Sequence, residues 1–324
     1  MATAVVRADK IGDLVLATPV LEAIKQKHPE EKLFVICSRY AHRVLLNHPL
    51  VEELIVYDGK NGREICEKLK KCKIDKAIDL FPIFDIAVAL FKARIKTRAG
   101  SGFRWFQWLY NRRIYPRRSR CEKKEWEYNL DIAELVFPGI DKSLLPKLYL
   151  SEEEREKAKK LLKELPRPIV GVFPGGGGEK RWSPEKFGKL CMKMESEGIT
   201  PLVLLGPSEK ELKAHFKEGW MLKESLDIRG LMGVISQVDA FVSNNTGPMH
   251  IAAAFRKPLV QIFDPRWAVN PRRWGHEYEK AFIIMPPVPH CKKCDESCQH
   301  YDCMEKIEVE DVWTALAKCL EESS

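Results

Sequence analysis

No stretch of this 324-residue chain is both long and apolar enough to span a bilayer. The best hydrophobic run, residues 77–93, is broken by Asp79, Pro82 and Asp85. The opening residues, MATAVVRADK, lack the apolar core of a signal peptide, so a cytoplasmic location is expected. The glycine-lysine-serine/threonine end of a Walker loop is missing, and so is the spaced-glycine fingerprint of dinucleotide binders. There is no regular disulfide framework either. Of ten cysteines, six are scattered singly, which suits buried thiols in a reducing compartment. Glutamine is scarce beside lysine and glutamate, a bias shared with thermophilic proteins.

What is present is a soluble globular composition, 45% hydrophobic and 31% charged, with enough chain for two domains that each bury a core. The net charge of +8 points to an acidic partner: nucleic acid, a phosphorylated glycolipid or an anionic membrane face.

Strand and helix patterns alternate twice. In the first half, strands are expected at 3–7, 32–38, 53–57 and 76–80, with helices at 14–27, 40–47, 61–71 and 83–92 between and after them. Residues 94–120 are dense in arginine and aromatics and read as loop with short elements. A helix over 126–137 and a linker over 141–150 follow. A charged helix over 151–165, with Ser151 as N-cap, opens the second half. There the expected strands are 169–173, 201–205, 239–243 and 258–263, with helices at 184–197, 209–218, 231–237, 247–255 and 310–320. Strands separated by helices imply right-handed crossovers and parallel sheets. The expected fold class is therefore α/β, with two Rossmann-like domains, 1–150 and 151–324, facing a cleft.

Three strand-to-loop junctions carry the candidate chemistry. In IVGVFPGGGGEKRWSP, an apolar run breaks into Gly175, Gly176, Gly177 and Gly178, then Lys180 and Arg181, then a helix capped by Ser183 with Pro184 at its first position. Glycines admit a close ligand, and two cations beside a helix N-terminus suit a diphosphate. The alternative is a flexible surface turn. In RADKIGD, Asp13 follows Gly12 beyond the first strand; it reads either as a cap or as a general base. In VSNNTGPMH, Asn245 or Thr246 caps a helix whose free amides near Thr246 and Gly247 make a second anion site. His250 is either a packing residue or a ligand there.

Taken together, DKIGDLVLATPVLEAIKQKHP, VFPGGGGEKRWSPEKF, LLGPSEKEL, SNNTGPMHIAAAFRKPLVQIF and the closing cysteine segment resemble glycosyltransferase family 9, the lipopolysaccharide heptosyltransferases. The resemblance covers nearly the whole chain in order. It implies the GT-B arrangement, with an acceptor half, a sugar-nucleotide half and a last helix that packs back on the N-terminal domain. It also implies inverting transfer from ADP-heptose to the Kdo-lipid A inner core, with no obligatory metal or other cofactor. The enzyme would be peripheral to the inner membrane.

By that resemblance Asp13 is the base and Lys180, with Arg181, stabilises the departing diphosphate. Glu209 meets the ribose, while Gly175, Gly176, Gly177, Asn245, Thr246, Gly247 and His250 line the donor. Side-chain cations and helix amides are what a transferase without a divalent ion needs at the leaving group. The family often has aspartate where this chain has Asn245, so a role needing an anion there is not carried over.

The acceptor side is assigned to Lys10, Arg98, Arg104 and Arg120. The basic stretch 94–120 would meet the phosphates and carboxylates of a lipid-linked acidic oligosaccharide and the anionic leaflet. Two other readings of it remain: a solvated loop, or single-stranded nucleic acid stacked on Trp105, Trp108 and Tyr110. Nucleic acid is not an expected partner on the resemblance. The competing functions are therefore a family 9-like transferase with another sugar nucleotide and a non-catalytic nucleic-acid-binding protein. Cys291, Cys294, Cys298 and Cys303 form a compact C-x2-C-x3-C-x4-C run. It reads as a structural metal site or as plain thiols or disulfides, and lacks the wide central gap of a zinc ribbon.

Overall fold

A computed structural model of the chain describes residues 1–176, 180–222, 226–292, 294 and 298–321. It separates into two compact units, Met1–Tyr149 and Leu150–Ser324. The first unit runs β1 (Ala2–Arg7), α1 (Ile11–Val15), α2 (Thr18–Lys27), β2 (Lys32–Ser38), β3 (Glu53–Tyr57), α3 (Gly62–Lys71), β4 (Lys76–Asp79), α4 (Phe84–Lys92), β5 (Thr97–Ser101), β6 (Arg112–Ile114) and α5 (Glu125–Glu134). Its six strands are all parallel, in the order β3-β2-β1-β4-β5-β6. Every residue of β1 is buried, as a central strand covered on both faces must be.

The second unit runs α6 (Glu152–Leu162), β7 (Ile169–Phe173), α7 (Pro184–Ser196), β8 (Thr200–Val203), α8 (Ile228–Gln237), β9 (Ala240–Asn244), α9 (Gly247–Ala254), β10 (Leu259–Ile262), α10 (Pro271–Trp274), β11 (Ala281–Ile284) and α11 (Val309–Leu320). Its five strands are parallel in the order β11-β10-β9-β7-β8. The Ser151 and Ser183 hydroxyls cap α6 and α7 by accepting from the amides of Glu154 and Lys186. The α/β class with two parallel, Rossmann-like sheets is as expected.

Several local expectations are corrected. The single helix over 14–27 is two. Pro19 has no amide to donate to the Val15 carbonyl, so the Thr18 hydroxyl takes that carbonyl at 2.8 Å and the helix restarts. The polar loop after β1 is also shorter than expected, because α1 begins at Ile11 and places Asp13 in its first turn. The helix expected over 40–47 is a 3₁₀ turn, His42–Leu45.

The expected helix over 209–218 is a 3₁₀ segment, Pro207–His215, kinked where Glu209 leaves helical geometry (φ −110°, ψ 18°). The stretch 94–120 holds short elements, as expected, but two of them, β5 and β6, join the sheet, and Ile95, Phe106, Leu109 and Tyr110 are buried in the first core. The last helix buries Val312, Leu316 and Cys319 in the core of the second unit.

Candidate active site

In each unit the candidate residues gather where strands end and helices begin. In the first, Arg7 ends β1 and is 2% exposed, yet it faces three carboxylates. Its guanidinium donates to Asp9 (2.9 Å), Asp13, Glu125 (2.9 Å) and the Asn129 amide oxygen (3.2 Å). Burial alone would lower the Arg7 pKa, but the charges of Asp9, Glu125 and Asp13 more than offset it and hold the guanidinium above its ordinary value.

Arg118 reaches the same Glu125 oxygen (3.1 Å) and Asn129 (3.1 Å), which ties the arginine-rich stretch to this network. The Asn129 amide donates to the Leu16 carbonyl at 3.0 Å and so fixes the break between α1 and α2. Asp13 is thus held on one side by a buried, many-partnered cation while its side chain keeps 15% exposure, enough to meet a ligand.

Two further carboxylates here escaped the sequence reading. Burial pushes the Asp9 carboxyl up to about 6; Arg7 opposes the rise and Asp13 adds to it. Asp79, the last residue of β4, is fully buried and accepts from the Tyr110 hydroxyl at 2.7 Å. Burial pushes its carboxyl up to about 7, against that hydrogen bond. Phe81 lies between two cations, with Arg7 at 5.5 Å and Arg104 at 5.7 Å from its ring centre.

Lys10 is exposed beside Asp13 as the residue preceding α1. Arg104, near Phe81, belongs to the same rim. Arg98 does not: it sits near the start of β5, at the opposite rim, and donates to the backbone carbonyls of Leu109 (2.7 Å) and Ile95. Its guanidinium therefore serves the fold. Arg120 is exposed and pairs with Glu122 at 3.5 Å.

In the second unit the structure brings together Gly175, Gly176, Glu209 and Thr246. A Cβ at Gly175 or at Gly206 would collide with the Glu209 side chain, and one at Gly176 would collide with Thr246. Gly176 also has φ +72°, a conformation open to glycine. Gly177 lies outside the described residues.

The loop is clamped by Asn244, a residue the sequence reading passed over. Its amide donates to the Pro174 carbonyl (3.0 Å), and its oxygen accepts from the Trp182 amide (3.0 Å), so it spans the glycines from both sides. Asn245, in contrast, is fixed through its backbone amide to Ile262 (2.9 Å). Thr246 precedes α9 without capping it. Its hydroxyl is 3.1 Å from that of Ser243, and no side chain caps the first turn. The amides of Gly247 and Met249 at that turn are thus left to a ligand. Buried His250 shares a ring hydrogen bond with His276, Nδ1 to Nε2, at 2.8 Å. Gln261 holds the His276 backbone through both its amide and its carbonyl, each at 2.8 Å.

Lys180 is 9% exposed. Its ammonium donates to the Tyr301 carbonyl at 2.7 Å and lies 3.4 Å from the centre of the Tyr301 ring. Arg181 is half-buried. Trp182, fully buried, donates to the Ile307 carbonyl at 2.9 Å and anchors the loop to the core.

The cysteine segment adjoins Lys180. All ten cysteines are free thiols, so the disulfide reading does not hold. Among the described residues, no group of three or more His, Cys, Asp or Glu side chains is arranged to hold a metal ion. Burial, and secondarily the charge of Cys294, raise the Cys303 thiol, while Lys180 opposes the rise.

The chain is 24% identical over 285 residues to lipopolysaccharide heptosyltransferase 2 of Escherichia coli, covering 79% of this chain and 80% of that one. In three dimensions it resembles a glycosyl transferase family 9 structure from Veillonella parvula (TM-score 0.83, 19% identity, 98% and 97% coverage). It also resembles the ADP-heptose lipopolysaccharide heptosyltransferase II of E. coli (TM-score 0.81, 20% identity, 99% and 98% coverage). These solved structures carry the GT-B fold over to both units. The model of glycosyltransferase family 9 (heptosyltransferase) matches residues 63–304, well over half of the sequence. The chain belongs to glycosyltransferase family 9 and is a glycosyltransferase.

Proposed function

We propose that the protein transfers a heptose from ADP-heptose to a hydroxyl of the lipid-linked inner core of lipopolysaccharide, with inversion at the anomeric carbon. The observation that carries this reading is the convergence of Gly175, Gly176, Glu209 and Thr246 at one end of the second sheet, beside an uncapped helix start. Glycine backbone, free amides and a carboxylate at hydroxyl-binding range form a nucleoside diphosphate site. The choice of sugar and acceptor is supported by similarity to lipopolysaccharide heptosyltransferases, one of them named for ADP-heptose.

In the proposed reaction the Asp13 carboxylate takes the proton of the acceptor hydroxyl as its oxygen attacks the anomeric carbon. The bond from that carbon to the diphosphate oxygen breaks on the opposite face. ADP leaves with the electron pair, its charge met by Lys180, Arg181 and the amides of Gly247 and Met249. Arg7 holds Asp13 in place, and Glu209 accepts hydrogen bonds from the ribose. Lys10, Arg104 and Arg120 meet the acidic acceptor from the first unit.

Lys180 needs a ligand to draw it from the Tyr301 carbonyl, and a diphosphate, carrying full charge, competes well with a neutral oxygen. The test is transfer from a panel of sugar nucleotides to Kdo-lipid A, read by mass spectrometry. A mass gain of one heptose from ADP-heptose alone is expected. Transfer of another sugar, or none, would overturn the assignment.

A further inference from the structure

The second unit carries two buried histidines, and the proposed reaction uses neither. His250 and His276 share one hydrogen bond, between Nδ1 of the first and Nε2 of the second, at 2.8 Å. Their rings meet close to edge-on, 66° apart, with centres separated by 5.1 Å.

The backbone around His276 is held tightly. Gln261, inside β10, is fully buried, where an amide side chain costs free energy unless both of its polar groups are paired. Both are paired, and with one residue: its Nε2 donates to the His276 carbonyl, and its Oε1 accepts from the His276 amide. Just before, the Gly275 amide donates to the Pro271 carbonyl at 2.7 Å, and a Cβ on Gly275 would collide with that same oxygen. A residue fixed in this way presents its ring in one direction.

His250 stands one turn into α9, its amide directed at the Thr246 carbonyl (3.4 Å). Helical side chains lean towards the N-terminus, so this ring leans towards the first turn, where no side chain caps the amides. Neither α9 nor the strands β9 and β10 on which it packs contribute a charged side chain. Besides backbone amides, the proton of His250 is what α9 can offer an anion.

Two neutral imidazoles that face each other hold one proton in the shared bond, and the ring that owns it sets the role of the remaining nitrogens. If it belongs to His276 Nε2, the proton of His250 sits on its own Nε2, and that nitrogen donates. If it belongs to His250 Nδ1, His250 Nε2 has only a lone pair, which repels a phosphate oxygen.

We infer that His276 is a positioning residue: it donates from Nε2 to His250 Nδ1 and so holds His250 in the tautomer that donates to the diphosphate of the sugar nucleotide. This rests on the donor-site reading above and adds to it the residues that set the state of His250, with Gln261 holding His276 in turn. A pair present only to satisfy two buried rings would be indifferent to which nitrogen holds the proton.

The test joins nitrogen-15 NMR of the histidine-labelled full chain at pH 8 with calorimetric titration of ADP. In the ligand-free wild type the proton of His250 is expected on Nε2. His276→Phe fills the same space without a donor and should weaken ADP binding about ten-fold, the lower end of what one hydrogen bond to a charged group contributes. His276→Gln, whose amide can donate from nearly the same point, should recover most of that loss. The NMR assignment on the wild type and the glutamine variant decides the matter even if His276→Phe does not fold. A His250 proton on Nδ1, equal ADP affinity in wild type and His276→Phe, or equal losses in the two variants would overturn the inference and leave the donor site standing. Absence of ADP binding by the wild type would overturn both.

Discussion

The two sheets end in rims of opposite character. The rim of the first is ionic: Arg7 and Arg118 are shared among Glu125, Asp9 and Asp13, nearly all out of water. The rim of the second is held by neutral groups, the Asn244 clamp, the Ser243 and Thr246 hydroxyls and the His250–His276 pair. The difference follows from what each must meet in the proposed reaction. A group that accepts a proton needs its charge held in place before the acceptor arrives. A cradle for a diphosphate can be held in shape by dipoles and amides, with Lys180 and Arg181 as the cations that meet the charge the ligand brings.

The largest effect should come from the ionic rim. Asp13→Asn should lower transfer by about 10³-fold, within the range for a general base, while ADP affinity measured by calorimetry stays nearly unchanged. Transfer near the wild-type rate would remove Asp13 as the base and blur the contrast between the rims.

Next in size, Arg7→Met leaves buried carboxylates without their cation and should destabilise the first unit by about 3–5 kcal/mol. Urea unfolding would read this as an early loss of the first unit, with the second unaffected. Equal loss in both would show that the rims do not stand alone.

A smaller effect is expected from the neutral rim. Asn244→Ala removes two hydrogen bonds of about 1 kcal/mol each and should raise the donor KM several-fold, with kcat less affected. A change confined to kcat would mean that the clamp serves the transition state rather than the bound donor.

The smallest is a matter of pH. The buried Asp79 carboxyl titrates near 7, whereas the unfolded one titrates at its ordinary value near 4. Between these values the folded state binds the extra proton, so stability is greatest below about pH 4 and falls as pH rises towards 7. Asp79→Asn should flatten that slope and make the protein more stable than wild type at pH 8, as thermal unfolding at pH 5 and pH 8 would show. An unchanged slope would place the titration elsewhere.

Much of this was legible in the sequence because it is local. Strand and helix periods repeat over a few residues, Ser151 and Ser183 announce their helices, and Gly12-Asp13 stands just beyond a strand. The glycine run and SNNTGPMH each sit at a strand end, which placed Gly175, Gly176 and Thr246 near one another before any coordinates. Where the sequence misled, a neighbour decided. One proline split a helix, and alternating small residues in 97–101 formed a strand that Tyr110 covers across Gly100.

What stayed hidden is long-range. Glu125 and Asn129 reach Arg7 over more than a hundred residues, and no pattern near Arg7 announces them. His276 meets His250 across 26 residues. Asn244 and Asn245 are adjacent and alike, and only strand alternation, which puts Asn244 on the face of Val242, separates the clamp from its neighbour.

Gly176 shows what such close fitting entails. With its backbone turned to a positive φ and Thr246 packed where a side chain would be, the glycine turn and the entrance to α9 are one mechanical part. An alanine there would displace the glycine turn and the start of α9 together, so in the proposed reading redesign of the donor preference has to begin at the flanks of this joint rather than at its pivot.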